Sequence, residues 1–255
     1  MKRVSGAVVV MVLVTLSAHA HDAWLAAKWN KDKTRITISA LVAEHFPHGE
    51  PIKGVDRFVD PRAYLPAGVS IALAGDPSDS TLLGSLPPEP TMIVATGVKQ
   101  REITFKGDLA EQYLREEIGL TKREASHYLT PHVEEFRETY SRIMKIVVAT
   151  DSHTPQDSVL GLPLEIVVKS WKDTGQDRAT IQFQLLYEGV AVSNAPVRVI
   201  TNRNTTVVRT DKQGLGQVSV DPQHPVLLAH IRLSQLAAGR LNSLWTNVAI
   251  YRLTR

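Results

Sequence analysis

Most of the chain alternates between apolar and polar residues in short runs. Residues 35–41 place apolar side chains at every second position from 36 to 40, and residues 68–73 and 91–96 contain further short apolar runs. Between Trp24 and Phe105, Gly, Pro and Asp interrupt the sequence about every eight to twelve residues, a spacing typical of antiparallel sandwiches and barrels. The pattern predicts an N-terminal β domain over residues 21–106.

The pattern changes at residue 107. Asp108 can cap a helix that continues to Glu117 and stops at Gly119, and a second short helix is expected over residues 121–125. Charged residues crowd this segment, as they do on solvated helix faces. We therefore expect a helical connector over residues 107–158.

Alternation returns after residue 158. Residues 179–187 alternate cleanly, and turn residues at Glu188, Gly189 and Gly214 separate further short strands. Consecutive hairpins of this kind predict a second, smaller β-sandwich over residues 159–255. The sequence thus favours a mainly β protein with two β-sandwich domains joined by a short helical connector.

The first twenty residues have the layout of a secretory signal. Lys2 and Arg3 precede a short apolar run, and Ala18 and Ala20 fit the small-residue cleavage pattern. Cleavage after Ala20 predicts a periplasmic protein that begins at His21, with no later segment apolar enough to span a membrane. An uncleaved membrane anchor is the alternative.

Charge and composition exclude several classes of function. Without Lys2 and Arg3 the chain keeps 27 Lys and Arg against 26 Asp and Glu, so its formal charge falls from +3 to +1. This balance gives no electrostatic footprint for nucleic acid. The chain has no cysteine, and it lacks the motifs of serine hydrolases, zinc proteases and phosphate-binding loops. We expect a protein that is not an enzyme.

His21 is the first candidate ligand. As the first mature residue it would carry a free amine beside its imidazole, and the two nitrogens can chelate one metal ion. Cleavage after Ala18 would instead create the terminus His19-Ala20-His21, which can wrap copper or nickel in a square plane of nitrogen atoms. Either terminus is a nitrogen chelator.

Two further histidines and one carboxylate are candidates for the same site. His45 and Glu50 lie in a polar turn after the first clear strand, where Glu50 could accept a hydrogen bond from a metal-bound imidazole and orient it without touching the ion. His230 lies in an apolar strand and must therefore be hydrogen-bonded or ligating. His48 is more consistent with a solvent-exposed residue.

Several short motifs occur together in a recognisable order. They are residues 20–25 (AHDAWL), 45–50 (HFPHGE), 112–120 (QYLREEIGL), 140–142 (YSR), 161–167 (GLPLEIV), 186–189 (LYEG) and 209–214 (RTDKQG), followed by the strand that contains His230. In this order they resemble periplasmic components of cobalt and nickel uptake systems. The resemblance covers nearly the whole mature chain.

Two sandwiches of the immunoglobulin or transthyretin-like kind are expected, and the resemblance implies that the C-terminal one is similar to the transthyretin-like or carboxypeptidase-regulatory sandwich. The resemblance implies a role in delivering nickel or cobalt to a transporter in the inner membrane. It also implies His21, His45 and His230 as ligands. The leading hypothesis is therefore a metal-binding accessory protein for nickel or cobalt, with copper as a further possibility. The alternatives are a structural or adhesive envelope sandwich without metal and, third, a copper mono-oxygenase that acts on a polymer.

Overall fold

The computed structural model describes residues 22–76, 78–129, 133–175, 177–202 and 204–255. The expected signal 1–20 and the candidate ligand His21 lie outside the described residues. The strands are β1 (Asp22–Trp29), β2 (Ile36–Ala43), β3 (Glu50–Pro51), β4 (Phe58–Leu65), β5 (Val69–Ala72), β6 (Leu82–Leu86), β7 (Thr91–Lys106), β8 (Glu135–Thr150), β9 (Leu164–Gly175), β10 (Arg178–Tyr187), β11 (Val190–Ala191), β12 (Pro196–Ile200), β13 (Thr205–Arg209), β14 (Leu215–Val220), β15 (Val226–Ala237) and β16 (Arg240–Leu253). The helices are α1 (Gly107–Glu116) and α2 (Lys122–Ala125), with 3-10 turns at Val55–Arg57 and Pro66–Gly68. The mainly β fold predicted from the sequence is confirmed.

Eight strands form a central sheet in the order β13, β12, β15, β16, β8, β7, β4, β5. Adjacent strands of this sheet are antiparallel, except for β16 and β8. These two pair in parallel over fourteen residues, from Arg240↔Arg137 to Leu253↔Thr150. The first outer sheet contains β1, β2, β3 and β6, and the second contains β9, β10, β11 and β14. The last strand, β16, thus lies inside the central sheet between β15 and β8.

The central sheet is the middle layer of a three-layer arrangement. Along β8, Met144, Ile146 and Val148 pack with the residues of the first outer sheet. Ile143 and Val147, at the alternate positions, pack with the second outer sheet. Because successive side chains of a strand point to opposite faces, one sheet serves two sandwiches.

The expected division at residues 107–158 needs correction. This interval contains two helices, but it also contains β8, and strands from both expected β domains pair in the central sheet. Phe136 and Glu138 are buried and alternate with the exposed Glu135 and Arg137, which is the period of a strand. Glu138 is a charged residue on the buried face, so the apolar residues of the segment do not alternate with polar ones. The segment therefore resembles a solvent-exposed helix in sequence.

The helices themselves follow the sequence closely. α1 begins at Gly107, with Lys106 at its cap, so Asp108 lies inside the helix rather than at the cap. Gly119 follows α1 with a positive φ of 80°, a conformation that glycine adopts without steric cost. α2 begins with a capping box in which Thr121 and Glu124 satisfy each other's backbone N–H groups.

Candidate metal centre

Two residues of the predicted site, His45 and Glu50, lie at one end of the first outer sheet. β1 begins at Asp22, opposite Ala43, the last residue of β2. Glu50 begins β3, and His45 follows Ala43 by two residues. Antiparallel partners lie about 4.5–5.5 Å apart at Cα, and a chain advances at most about 3.6 Å per residue. The start of the described chain, His45 and Glu50 are therefore close neighbours in the fold, and both candidate side chains are exposed.

The turn that carries His45 is pinned to the sheet. The Phe46 ring is buried and packs edge-on against Trp24, with ring centroids 5.2 Å apart. At Gly49 the backbone approaches so closely that a Cβ would lie 3.0 Å from the Trp24 ring and 3.0 Å from the carbonyl oxygen of Val42. The buried Phe46 thus holds the turn, and the adjacent His45 is left facing solvent.

The start of β1 is fastened to the central sheet by polar contacts. Arg198 of β12 donates to the Asp22 carboxylate at 2.8 Å and also lies 3.5 Å from Glu117, which follows α1. The Asn247 side chain donates to the carbonyl oxygen of Ala23 at 2.6 Å. The Asp22 and Arg198 side chains are only 11% and 7% exposed, so this ion pair is strongly shielded from water. The residue that follows His21 is held in a defined place.

A row of buried polar side chains extends from this anchor between the first outer sheet and α1. Glu138 accepts a short hydrogen bond from Ser243 and a longer one, at 3.4 Å, from the indole of Trp245. The Arg142 guanidinium lies over the Trp245 ring, 4.4 Å from its centroid. Burial and the neighbouring Glu138 raise the pKa of Tyr113 well above its ordinary value. The sequence pattern did not reveal this row, although its members on β8, Glu138 and Arg142, lie four residues apart and therefore on one face of the strand.

His230 lies on the other face of the central sheet. It follows Leu228 by two residues and shares the face that packs on the second outer sheet, whereas Ala229 packs toward the first. Its Nδ1 donates to the carbonyl oxygen of Pro196 at 2.7 Å. Burial is the main reason that the pKa of His230 is lowered to about 4. The ring is therefore neutral at pH 7, with the Nε2 lone pair available.

A cavity of about 300 Å³ adjoins His230 under α2. His127, Tyr128, Asn194 and Arg232 also line it. His127 has its Nδ1 2.8 Å from the carbonyl oxygen of Arg123, which leaves its Nε2 as the free ring nitrogen. None of the residues that line this cavity belongs to the turn that carries His45.

The structure thus brings His45 and Glu50 to one sheet end and leaves His230 elsewhere. In the part of the chain that the structure describes, no group of three or more His, Cys, Asp or Glu residues is arranged to hold a metal ion. The predicted centre depends on His21, which lies outside that part. Amine and imidazole nitrogens would suit nickel, cobalt, copper or zinc, and an exposed carboxylate is compatible with them.

Residues 18–231 match the family model of a domain of unknown function, DUF4198. The chain belongs to the DUF4198 family. The matched region includes His45 and Glu50 and ends one residue after His230, so all the candidate ligands fall inside the DUF4198 domain. No curated protein matches the chain. Among residues 22–255, apart from the few positions left undescribed, no helix is long and apolar enough to cross a membrane.

Proposed function

We propose that this DUF4198 protein is an exported, periplasmic accessory protein that binds nickel or cobalt, or alternatively copper, through its mature N-terminus at His21. It would pass the ion to a metal transporter in the inner membrane. The observation that carries the proposal is the strand register of the first outer sheet, in which Asp22, Ala43 and Val42 align the start of β1 with the turn after β2 and the start of β3.

The proposed ligand set follows from that register. The α-amino group and Nδ1 of His21 form a chelate, and His45 contributes a further imidazole from the pinned turn. Glu50 orients an imidazole or accepts one of its N–H groups, as carboxylates near metal-bound histidines commonly do. His230 has no part in this centre, because its side chain faces the second outer sheet.

Anchoring of Asp22 supports the proposal energetically. A terminus that moves freely loses conformational entropy when it binds an ion, and a preorganised one loses less. The Asp22 carboxylate forms a nearly buried ion pair with Arg198, so it is not available as a ligand for the metal ion. The ion would therefore meet nitrogen ligands, which favour late transition metals over magnesium and calcium.

The test is native mass spectrometry of protein exported from its own signal, with and without equimolar nickel, cobalt or copper. We expect a mass that begins at His21, or at His19 if cleavage follows Ala18, and a gain of one ion. The matched control is the same protein with an acetylated amine, which should bind at least about 100-fold more weakly because one ring of the chelate is lost.

Variants then identify the remaining ligands. His45→Ala should weaken binding by about 10–100-fold, whereas His48→Ala, which changes an exposed histidine in the same turn, should leave it unchanged. His230→Gln should also leave terminal binding unchanged. Equal binding by free and acetylated protein would refute the terminal site, and absence of binding would favour the structural envelope sandwich. Copper-dependent oxidation of a polymer with reductant would instead favour the mono-oxygenase.

A further inference from the structure

Three charged side chains meet inside the second sandwich. The Lys145 Nζ lies 2.9 Å from Oδ2 and 3.1 Å from Oδ1 of Asp157, and 3.0 Å from Oε1 of Glu165. The side chains of Lys145, Asp157 and Glu165 are 1%, 0% and 1% exposed. Water is therefore excluded from a site in which an amine contacts two carboxyl groups.

The positions of both carboxyl groups are held by the backbone. The N–H of Val168 donates to Asp157 Oδ2 at 2.8 Å, and the N–H of Leu160 donates to Glu165 Oε1 at 3.0 Å. Lys145 itself lies on β8 between Ile143 and Val147, whose side chains belong to the core shared with the second outer sheet. Apolar packing thus limits the motion of the amine, and the reactive groups are already in contact.

The ionised form of this cluster is unfavourable. One ammonium and two carboxylates leave a net negative charge in a nearly water-free core, and desolvation of such ions offsets most of their attraction. Burial raises the pKa of Asp157 above its ordinary value, which increases the population of its uncharged acid. Transfer of a proton from the Lys145 ammonium to the Asp157 carboxylate would remove both charges and leave a neutral amine, which is a nucleophile.

We propose that Lys145 and Asp157 condense to an intramolecular amide bond between Nζ and Cγ, with Glu165 as the group that moves the protons. The Glu165 carboxylate accepts a proton from the Lys145 amine, which attacks Cγ of the protonated Asp157. Glu165 returns the proton to the departing hydroxyl group, and the C–O bond breaks. One water is released for each amide formed, and no oxidant or cofactor is consumed.

The cross-link would join the middle of the central sheet to the segment that leads into β9. Asp157 already contacts Val168 of β9 through its other hydrogen bond, so the amide would tie the second outer sheet to β8. This modification is independent of metal binding, because it lies on the face opposite the first outer sheet. It would stabilise a cysteine-free exported protein in the way that a disulfide stabilises others.

Peptide mass mapping of the mature protein tests the proposal. Trypsin cannot cleave after an acylated lysine, so the cross-linked chain should yield the single peptide 143–169, which contains Lys145, Asp157 and Glu165. Its mass should lie about 18 Da below that of the linear peptide, the loss of one water. Backbone fragmentation should give no ions from cleavage between residues 145 and 157, because the amide closes that loop. Separate peptides 143–145 and 146–169 of unaltered mass would overturn the proposal.

Variants define the chemistry. Asp157→Asn should still cross-link but should lose ammonia, about 17 Da, instead of water. Lys145→Met and Glu165→Gln should both retain the linear mass, the first because it has no amine and the second because it cannot accept the proton. Lys169→Arg, at an exposed position of β9, keeps the tryptic site and should cross-link fully. Complete cross-linking in Glu165→Gln would refute the role of Glu165.

Discussion

Replacement of Arg198 by Met should destabilise the protein more than any surface substitution. The change leaves the carboxylates of Asp22 and Glu117 without the cation that now lies 2.8 Å and 3.5 Å from them. Removal of one partner from a buried ion pair costs about 3–5 kcal/mol, because the remaining charge stays desolvated. For a chain of this size 1 kcal/mol corresponds to about 2–4 °C, so Tm should fall by about 6–20 °C.

Replacement of Asp22, the other partner of the pair, should lower the free energy of unfolding by a smaller amount. In Asp22→Asn the guanidinium of Arg198 keeps Glu117, and the amide oxygen of Asn can still accept a hydrogen bond, so we expect a loss of about 1–3 kcal/mol. Arg62→Met is the matched control, since Arg62 forms an exposed pair with Asp60 whose side chains are 40% and 64% exposed. An exposed pair of this kind contributes at most about 1 kcal/mol.

The assay is urea denaturation of the mature protein in the presence of a chelator, because a bound ion would add its own stabilisation. The free energies of the wild type, of Asp22→Asn, of Arg198→Met and of the double variant Asp22→Asn/Arg198→Met give the coupling energy, and Arg62→Met is measured beside them as the control. An Arg198→Met variant as stable as Arg62→Met, or less affected than Asp22→Asn, would show that the pair does not hold the start of β1.

Three further predictions concern other parts of the fold. The pKa of His230 is lowered from 6.5 to about 4, so the unfolded chain takes up the proton first: stability is complete above about pH 6.5 and should fall by about 2 kcal/mol between pH 7.5 and pH 5. Urea midpoints at the two pH values should show this loss in the wild type and a smaller one in His230→Gln. Gly216→Ala would put a Cβ 2.3 Å from the ring of Phe183 and should cost about 1–3 kcal/mol, whereas Gly175→Ala meets nothing within 4 Å and serves as its thermal-melting control. Thr121→Ala removes the cap of α2 and should lower the free energy of unfolding by about 1 kcal/mol; an unchanged value would mean that the cap contributes nothing to global stability.

Local patterns predicted most of the secondary structure. The alternation in residues 35–41 and 179–187 became β2 and β10, and the stop at Gly119 marks the end of the first helix region. The sequence pattern did not predict strand β8, and this has a physical cause. Glu138 and Arg142 are charged residues that the fold buries against Ser243, Trp245 and their neighbours, and sequence patterns treat such residues as solvent-exposed.

The chemistry of the candidate site depends on the sequence, whereas its geometry depends on the fold. The sequence offered His21, His45 and His230 as candidate nitrogen ligands, because the chemistry of an imidazole and of a free amine is local. Their spatial relations depend on strand register and on which face of a sheet each side chain occupies, and a shift of one residue reverses that face. His45 and Glu50 therefore share one end of the first outer sheet, while His230 faces the second.

The β class, the end of the first helix region at Gly119 and the chemistry of the proposed N-terminal chelate could all be predicted from the amino-acid sequence, since each of these depends on neighbouring residues. Two other features depend on long-range packing: one central sheet serves both sandwiches, and β8 and β16 pair in parallel. The same packing brings Lys145 to Asp157 and Glu165, and it brings Arg198 to Asp22, 176 residues away in the chain. Long-range pairing of this kind is set by the packing of whole layers, and no local pattern of residues encodes it.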